Sequence, residues 1–568
     1  MGTEAPHPFI KRHFVTIDGK RQIHYRRAGK GPPVLLLHQS PTSSREYIPL
    51  IEHLSSHFTV IAPDTPGNGL SEPLPEPAAP TMDDYGDNIA KFLDAIGVPK
   101  IAVYGFHTGA SVAAAFSTRH PNRVHGTILN GFVALTPEER ADILANYLVS
   151  IAPRWDGGHL ALLWSRIREQ FIFFPWYRAS LAGRADRDLP PLDVIHWNAM
   201  EWLRAGDAYR KPYGAAFAYA GDQVAMRFTT PVVICASDWD TLVKHLDRLP
   251  KNLPANVEVK RIGPDRAAVA PFVLNELKRF AKGEAPAPVR PKPLSDRPYQ
   301  DYVDVVGGQL HVRRTDSGTG RPVLVQHDAA SDNRIVDRAT TGFMGKRPAF
   351  AFDLPGNGES DNTIGTNNVT VPRYAEVVGQ ALDSLGLKEV DAYGMWGGGS
   401  VMLDLALQRS ATVKHLAMSS VLYFDATFAK ELYEKYTFPI EPDWYGGYLI
   451  KCWHAMRDQS IYWPWYERTR KGIIWQEPMV DPVFVHNRVV AMLKAGTMYH
   501  HHYRAHFAYA TGDALKRVKV PTLIGSPSWD PNFGDSRRAH EATPNTEWAL
   551  LPNDRIDYAG VFLKFFDR

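Results

Sequence analysis

The segment Tyr104-Gly-Phe-His-Thr-Gly-Ala110 places one imidazole, His107, between a short apolar run and a small-residue stretch, Ser111 to Arg119, that reads as a helix. A ring at the start of a helix faces the positive end of its dipole, so the neutral form is favoured near pH 7, available as a proton acceptor or hydrogen-bonding electrophile. That is base chemistry. A second histidine group, His500, His501, His502 and His506, puts positions 502 and 506 on one helix face, a spacing that metal ligands use. No acidic or histidine partner accompanies them at matching spacing, so they read as a pocket wall. The only two cysteines, Cys235 and Cys452, leave no disulfide framework or multi-cysteine metal site and suit a reducing compartment. No metal and no other cofactor is expected, and a cytoplasmic location is.

The elements that must position His107 come in two copies. Ala62-Pro-Asp-Thr-Pro-Gly-Asn-Gly-Leu-Ser71 recurs as Ala351-Phe-Asp-Leu-Pro-Gly-Asn-Gly-Glu-Ser360. His38 and His327, Gly157-Gly158 and Gly446-Gly447, and Pro175-Trp-Tyr177 and Pro464-Trp-Tyr466 keep the same register. Trp239-Asp240 and Trp529-Asp530 shift by one, and Asp265-Arg266 and Asp554-Arg555 restore it. A register held this long marks a duplicated unit rather than a short solenoid repeat. The predicted domains are 1–283 and 299–568, joined by a proline-rich linker at 284–298 that favours an extended, semi-rigid chain. In the first copy, nearly continuous apolar runs at 33–38, 59–64, 101–105, 127–131, 231–237 and 257–263 alternate with helical stretches. Such runs suit strands buried on both faces, so the predicted fold class is α/β with a mostly parallel sheet. Ligand-binding loops then belong at the carboxyl edge of the strands.

Charge and hydropathy set further bounds. Lys plus Arg number 64 against 61 Asp plus Glu, a net of +3 that nominates neither nucleic acid nor an anionic membrane. No run approaches the roughly 18 apolar residues of a membrane span, and the N-terminal segment has no secretory pattern. The expected partner is a small molecule, and the two halves are also compatible with an internal pseudo-dimer.

With these motifs in order, both halves resemble the α/β-hydrolase superfamily, nearest in spacing to the haloalkane dehalogenase and epoxide hydrolase branch. The resemblance makes 104–110 the nucleophile elbow and His38-Gln39-Ser40-Pro41 the oxyanion loop. It makes Asp240 the acid after the strand at 231–237 and the intervals 132–229 and 421–519 helical caps. It implies two tandem α/β-hydrolase folds. The pattern departs from the family where the elbow carries His107 in the first half and Trp396 in the second, in place of Ser, Cys or Asp. The histidine expected near 263–266 and 552–555 is replaced by Asp-Arg in both.

On that resemblance His107 and Asp240 form the catalytic dyad, with Gln39, Ser40 and Thr108 supplying donors to developing negative charge. Arg266 either holds a substrate carboxylate or carbonyl, or belongs to a structural Asp-Arg turn. Asp64, His38 and His327 read as structural. The cap aromatics Trp155, Trp164, Phe173, Phe174, Trp176, Tyr177, Trp197 and Trp202 read mostly as core; those facing the cleft, with Trp155 and Trp176 the candidates, imply an apolar or aromatic ligand. The functional expectation is a hydrolase or lyase whose N-terminal half is active. The alternative is a degenerate ligand-binding or scaffold protein with relic elbows.

Overall fold

The computed structural model describes residues 9–75 and 79–568, which divide into two compact bodies. One comprises 9–152 and 159–292, the other 293–568 together with 153–158. The first body has eight strands: β1 (Lys11–Ile17), β2 (Arg21–Ala28), β3 (Pro33–Leu37), β4 (Thr59–Pro63), β5 (Ile101–Phe106), β6 (Val124–Asn130), β7 (Val232–Ala236) and β8 (Val257–Arg261). They form one sheet in the order β1-β2-β4-β3-β5-β6-β7-β8, antiparallel at β1/β2 and β2/β4 and parallel elsewhere.

Strand pleating explains why the apolar runs are continuous. Leu35 and Leu37 of β3 face a core built with the helices Met82–Ala95 and Thr108–Arg119, whereas Val34 and Leu36 face a core built with Ile48–Leu54 and Val269–Phe280. Both faces are covered, so alternation disappears. Each fully buried aliphatic side chain contributes about 1.5–3 kcal/mol. The helix Thr108–Arg119 crosses the sheet so closely that a Cβ on Gly109 would meet the Leu37 carbonyl oxygen at 1.8 Å. That close approach is why its first turn carries glycine.

The interval between β6 and β7 holds the helices Pro137–Asn146, Gly158–Ile172, Leu192–Ala205, Arg210–Ala218 and Gly221–Ala225. The proline-rich stretch has no regular structure. Its Lys292 carbonyl accepts from Thr16 Oγ1 at 2.7 Å and Val289 packs against the first body's core.

The second body repeats the plan with β9 (Tyr299–Val305), β10 (Gly308–Thr315), β11 (Val323–Gln326), β12 (Ala349–Phe352), β13 (Val390–Met395), β14 (Val413–Ser419), β15 (Thr522–Ser526) and β16 (Thr546–Leu550). Its order, β9-β10-β12-β11-β13-β14-β15-β16, is the same topology. The expected pair of mostly parallel α/β sheets with helical caps is therefore present. Among the described residues no helix is long and apolar enough to cross a membrane.

Candidate active site

His107 caps the helix Thr108–Arg119 at φ 49 and ψ −112, directly after β5. The turn is held by backbone bonds: His107 N–H donates to the Asn130 carbonyl at 2.9 Å, and the His107 carbonyl accepts from Ala110 N at 2.9 Å. A left-handed φ at a residue with a side chain is uncommon and clusters at functional positions. The ring stacks on Phe106 with centroids 4.0 Å apart. Its Nε2 lies 2.8 Å from Asp240 Oδ2.

Asp240 is fixed from its own side by Leu242 N–H, which donates to Oδ1 at 2.8 Å. Burial works against charge on both partners, yet the opposite charge and the shared hydrogen bond outweigh it: His107 is raised above its ordinary pKa and Asp240 is lowered below its own. The ionised carboxylate accepts, so Nε2 donates. The helix terminus favours the neutral ring, but the net shift is upward, because a full charge at hydrogen-bond distance outweighs about half an elementary charge at the helix end. Nδ1 forms no hydrogen bond with the described residues, and the side chain is 27% exposed into a cavity.

That cavity, of about 410 Å³, brings together most of the residues singled out in the sequence: His107, Asp240, Gln39, Ser40, Thr108 and Arg266. Their states differ. Gln39 is not a free donor, because its N–H and side-chain amide bond Glu46 at 3.0 and 3.1 Å. The amide of Thr108, at the first helical position, lacks an intrahelical acceptor, and Ser40 Oγ is buried without a partner. Arg266 does not pair with Asp265, whose carboxylate caps its own turn at Ala267 N–H; the guanidinium lies 4.2 Å from the Trp239 ring centroid.

Two expected binding residues lie elsewhere. Trp155 is 72% exposed and sits in the segment 153–158, outside the first body. Trp176 donates from Nε1 to the Tyr147 carbonyl at 3.0 Å and packs behind the cavity wall. A tally of aromatics in the cap cannot distinguish wall, core and surface: Trp164 and Trp202 are core, whereas Phe174 and Trp197 line the cavity.

Sequence reasoning also missed Phe106, Arg187, Trp239 and Gly131. Trp239 precedes the acid directly, which is the one signal available. Gly131 follows β6 at φ 66, and a Cβ there would stand 2.3 Å from His107 Cδ2 and 3.2 Å from Asp240 Oδ2. Asp64, His38 and His24 are structural: Asp64 accepts from Ser44 and Leu70 amides and pairs with His24 at 2.9 Å, while His38 Nε2 accepts from Thr65 N–H at 2.8 Å.

The second body answers each position differently. Trp396, at φ 51, donates from Nε1 to Asp530 Oδ2 at 3.0 Å. Asp328, in register with Gln39, accepts from the Gly397 amide at 2.9 Å, so a carboxylate already occupies the donor that follows the turn. Burial raises Asp328 to about 6. Ser420 stands where the first body has Gly131.

Residues 32–264 match the profile of a family described as alpha/beta hydrolase fold. An uncharacterized hydrolase of Saccharomyces cerevisiae, YNR064C, is 35% identical over 118 residues, 20% of this chain and 40% of that protein. Haloalkane dehalogenase 2 of Mycobacterium tuberculosis is 35% identical over 123 residues, covering 22% and 42%. Soluble epoxide hydrolase of Corynebacterium sp. is 38% identical over 118 residues, covering 21% and 38%. The chain thus spans about two-fifths of the length of these relatives. Among solved structures, the epoxide hydrolase CorEH aligns at 20% identity over 48% of this chain and 98% of its own, with a TM-score of 0.37.

Proposed function

We propose that the first body, an α/β-hydrolase-fold module over its matched region 32–264, is a hydrolase or lyase for a small apolar or aromatic molecule, with His107 as general base in place of the fold's usual nucleophile. The observation that carries this reading is the 2.8 Å contact between Nε2 and Asp240, which leaves Nδ1 as the ring nitrogen at the cavity. In a serine triad the ring is reached by the acid through Nδ1 and works through Nε2. Here the roles are exchanged, because the ring enters from the elbow rather than from the loop after the last strand.

The deprotonated ring takes a proton at Nδ1 from a water or from an acidic carbon of the substrate, and Asp240 stabilises the imidazolium that results. The Thr108 amide and the Ser40 side of the loop receive the developing oxyanion. The imidazolium then returns its proton to the leaving group. The relatives named as dehalogenase and epoxide hydrolase favour hydrolysis over elimination. The second body supports rather than catalyses, consistent with Trp396 bonded to Asp530 and Asp328 bonded to the Gly397 amide. Those same contacts favour ligand binding without turnover as the second reading for that body.

The test is a panel of esters, epoxides, haloacids and β-diketones offered to the full chain and to His107→Ala. Positioned general bases contribute on the order of 10²–10⁴ in rate, and a loss of that size is expected. Equal turnover by the two proteins overturns the role of His107.

A further inference from the structure

Two arginines share the cavity with His107, and neither has an acidic partner among the described residues. Arg187 is steadied by its Nε–H, which donates to the Phe171 carbonyl at 3.2 Å. Arg266 is steadied by the Trp239 indole beneath its guanidinium. Each is held by a neutral group, so the outward N–H edge of each fork remains available. Burial and then the nearby Arg266 charge disfavour protonation of Arg187, and the Asp240 charge opposes them. The cavity's own carboxylates, Asp240 and Asp188, make no ion pair with either arginine, so an anion set between the two like charges is favoured.

A third cation stands behind the wall. Arg166 is 1% exposed, with its guanidinium 4.9 Å from the ring centroid of Tyr147, a cavity-lining residue, and 4.3 Å from that of Trp202. Its Nε and one terminal nitrogen have no acceptor, and its hydrogen bond is to the neutral Gln170 side chain at the cavity edge. Among the described residues no carboxylate forms an ion pair with it. Of the acids on the cavity wall, Asp240 is already joined to His107, leaving Asp188 as the remaining one.

The second body lacks this arrangement. Gln476 stands in register with Arg187, and Arg555, in register with Arg266, lies 5.0 Å from the Trp396 ring centroid. The paired cations therefore belong to the body whose elbow carries a base.

We infer that the substrate of the first body carries a carboxylate, gripped between Arg187 and Arg266, with its apolar or aromatic portion directed past Trp239 and Phe106 toward Nδ1 of His107. This deepens the proposed function and rests on its reading of the cavity as the substrate site. A planar carboxylate presents two oxygens to two forks, and the aromatic wall accepts the rest of a small molecule without further polar demands.

Benzoate and benzamide, matched in shape and differing in charge, are titrated into the full-length wild type, Arg187→Gln, Arg266→Gln and His107→Ala, with binding read by calorimetry. Benzoate is expected to bind at least tenfold more tightly than benzamide, to lose tenfold or more with either arginine replaced, and to weaken with added salt. Binding is expected to persist in His107→Ala, so a failure of the base mechanism leaves this result standing. Equal affinities for the two ligands, no binding of benzoate, or indifference to both arginine substitutions overturns the proposal. Phenyl phosphate is run alongside. If it outcompetes benzoate tenfold or more, the site is a phosphate site and the carboxylate assignment falls.

Discussion

The His107 ring occupies the space that any side chain at residue 131 would need: a Cβ on Gly131 would lie 2.3 Å from Cδ2 and 2.8 Å from Nε2. Gly131 is thus a condition for the dyad. Gly131→Ser, which introduces the residue the second body has at this register, is expected to push the ring off Asp240 and reduce turnover about 100-fold, the low end of a general base's contribution. It also places a side chain at a left-handed φ of 66, costing about 1–2 kcal/mol. Initial rates and denaturant unfolding check the two effects separately.

The charge state of the dyad makes a pH prediction whose sign is fixed. His107 is raised above its ordinary 6.5, so the pair's contribution through the ring is complete below about 6.5 and fades as pH rises through the folded-state value. Asp240 is lowered below 3.8, so its contribution is present above that value and fades as pH falls through the folded-state one. Catalysis needs the deprotonated ring, hence kcat/KM should climb on a limb whose midpoint lies above 6.5. Asp240→Asn removes the opposing charge and leaves burial dominant, so the midpoint should move downward. A pH–rate profile and a proton titration of the His107 ring report it.

These charges mark where the sequence was readable. β3 to β7 follow from apolar runs because their residues are covered on both faces, whereas β8, at the sheet edge, is half-buried to exposed. β1 and β2 were not among those runs, since Arg12, Gln22, His24 and Arg26 are polar yet buried, His24 against Asp64. Residue type alone does not report a buried hydrogen-bonded pair such as His24 and Asp64. Within the site, His107 and Asp240 could be named from the turn and from the family pattern. The Gln39 amide could not be judged, because its acceptor, Glu46, comes from the following turn.

In the second body the buried Asp530 accepts from the Trp396 indole at Oδ2 and from the Asn532 amide at Oδ1. Trp396→Phe deletes the indole donor and leaves a carboxylate already pushed upward by burial, at a cost of about 1–3 kcal/mol. Turnover by the first body should be unaffected. Unfolding curves beside rate measurements distinguish this from a catalytic role for Trp396.

The position of the tryptophans yields a paired prediction. Trp197→Ala, at the cavity, is expected to raise KM several-fold, whereas Trp155→Ala, on the exposed segment, should leave it unchanged. Steady-state kinetics on one substrate from the panel suffices.

The most direct measurement is chemical rescue of His107→Ala with free imidazole, using whichever panel substrate the wild type turns over. A cavity emptied of one ring can admit another beside Asp240. The account predicts that the variant is nearly inactive and that added imidazole restores turnover in a saturable manner, more at high pH than at low. Turnover in His107→Ala equal to that of the wild type, with no response to imidazole, contradicts it.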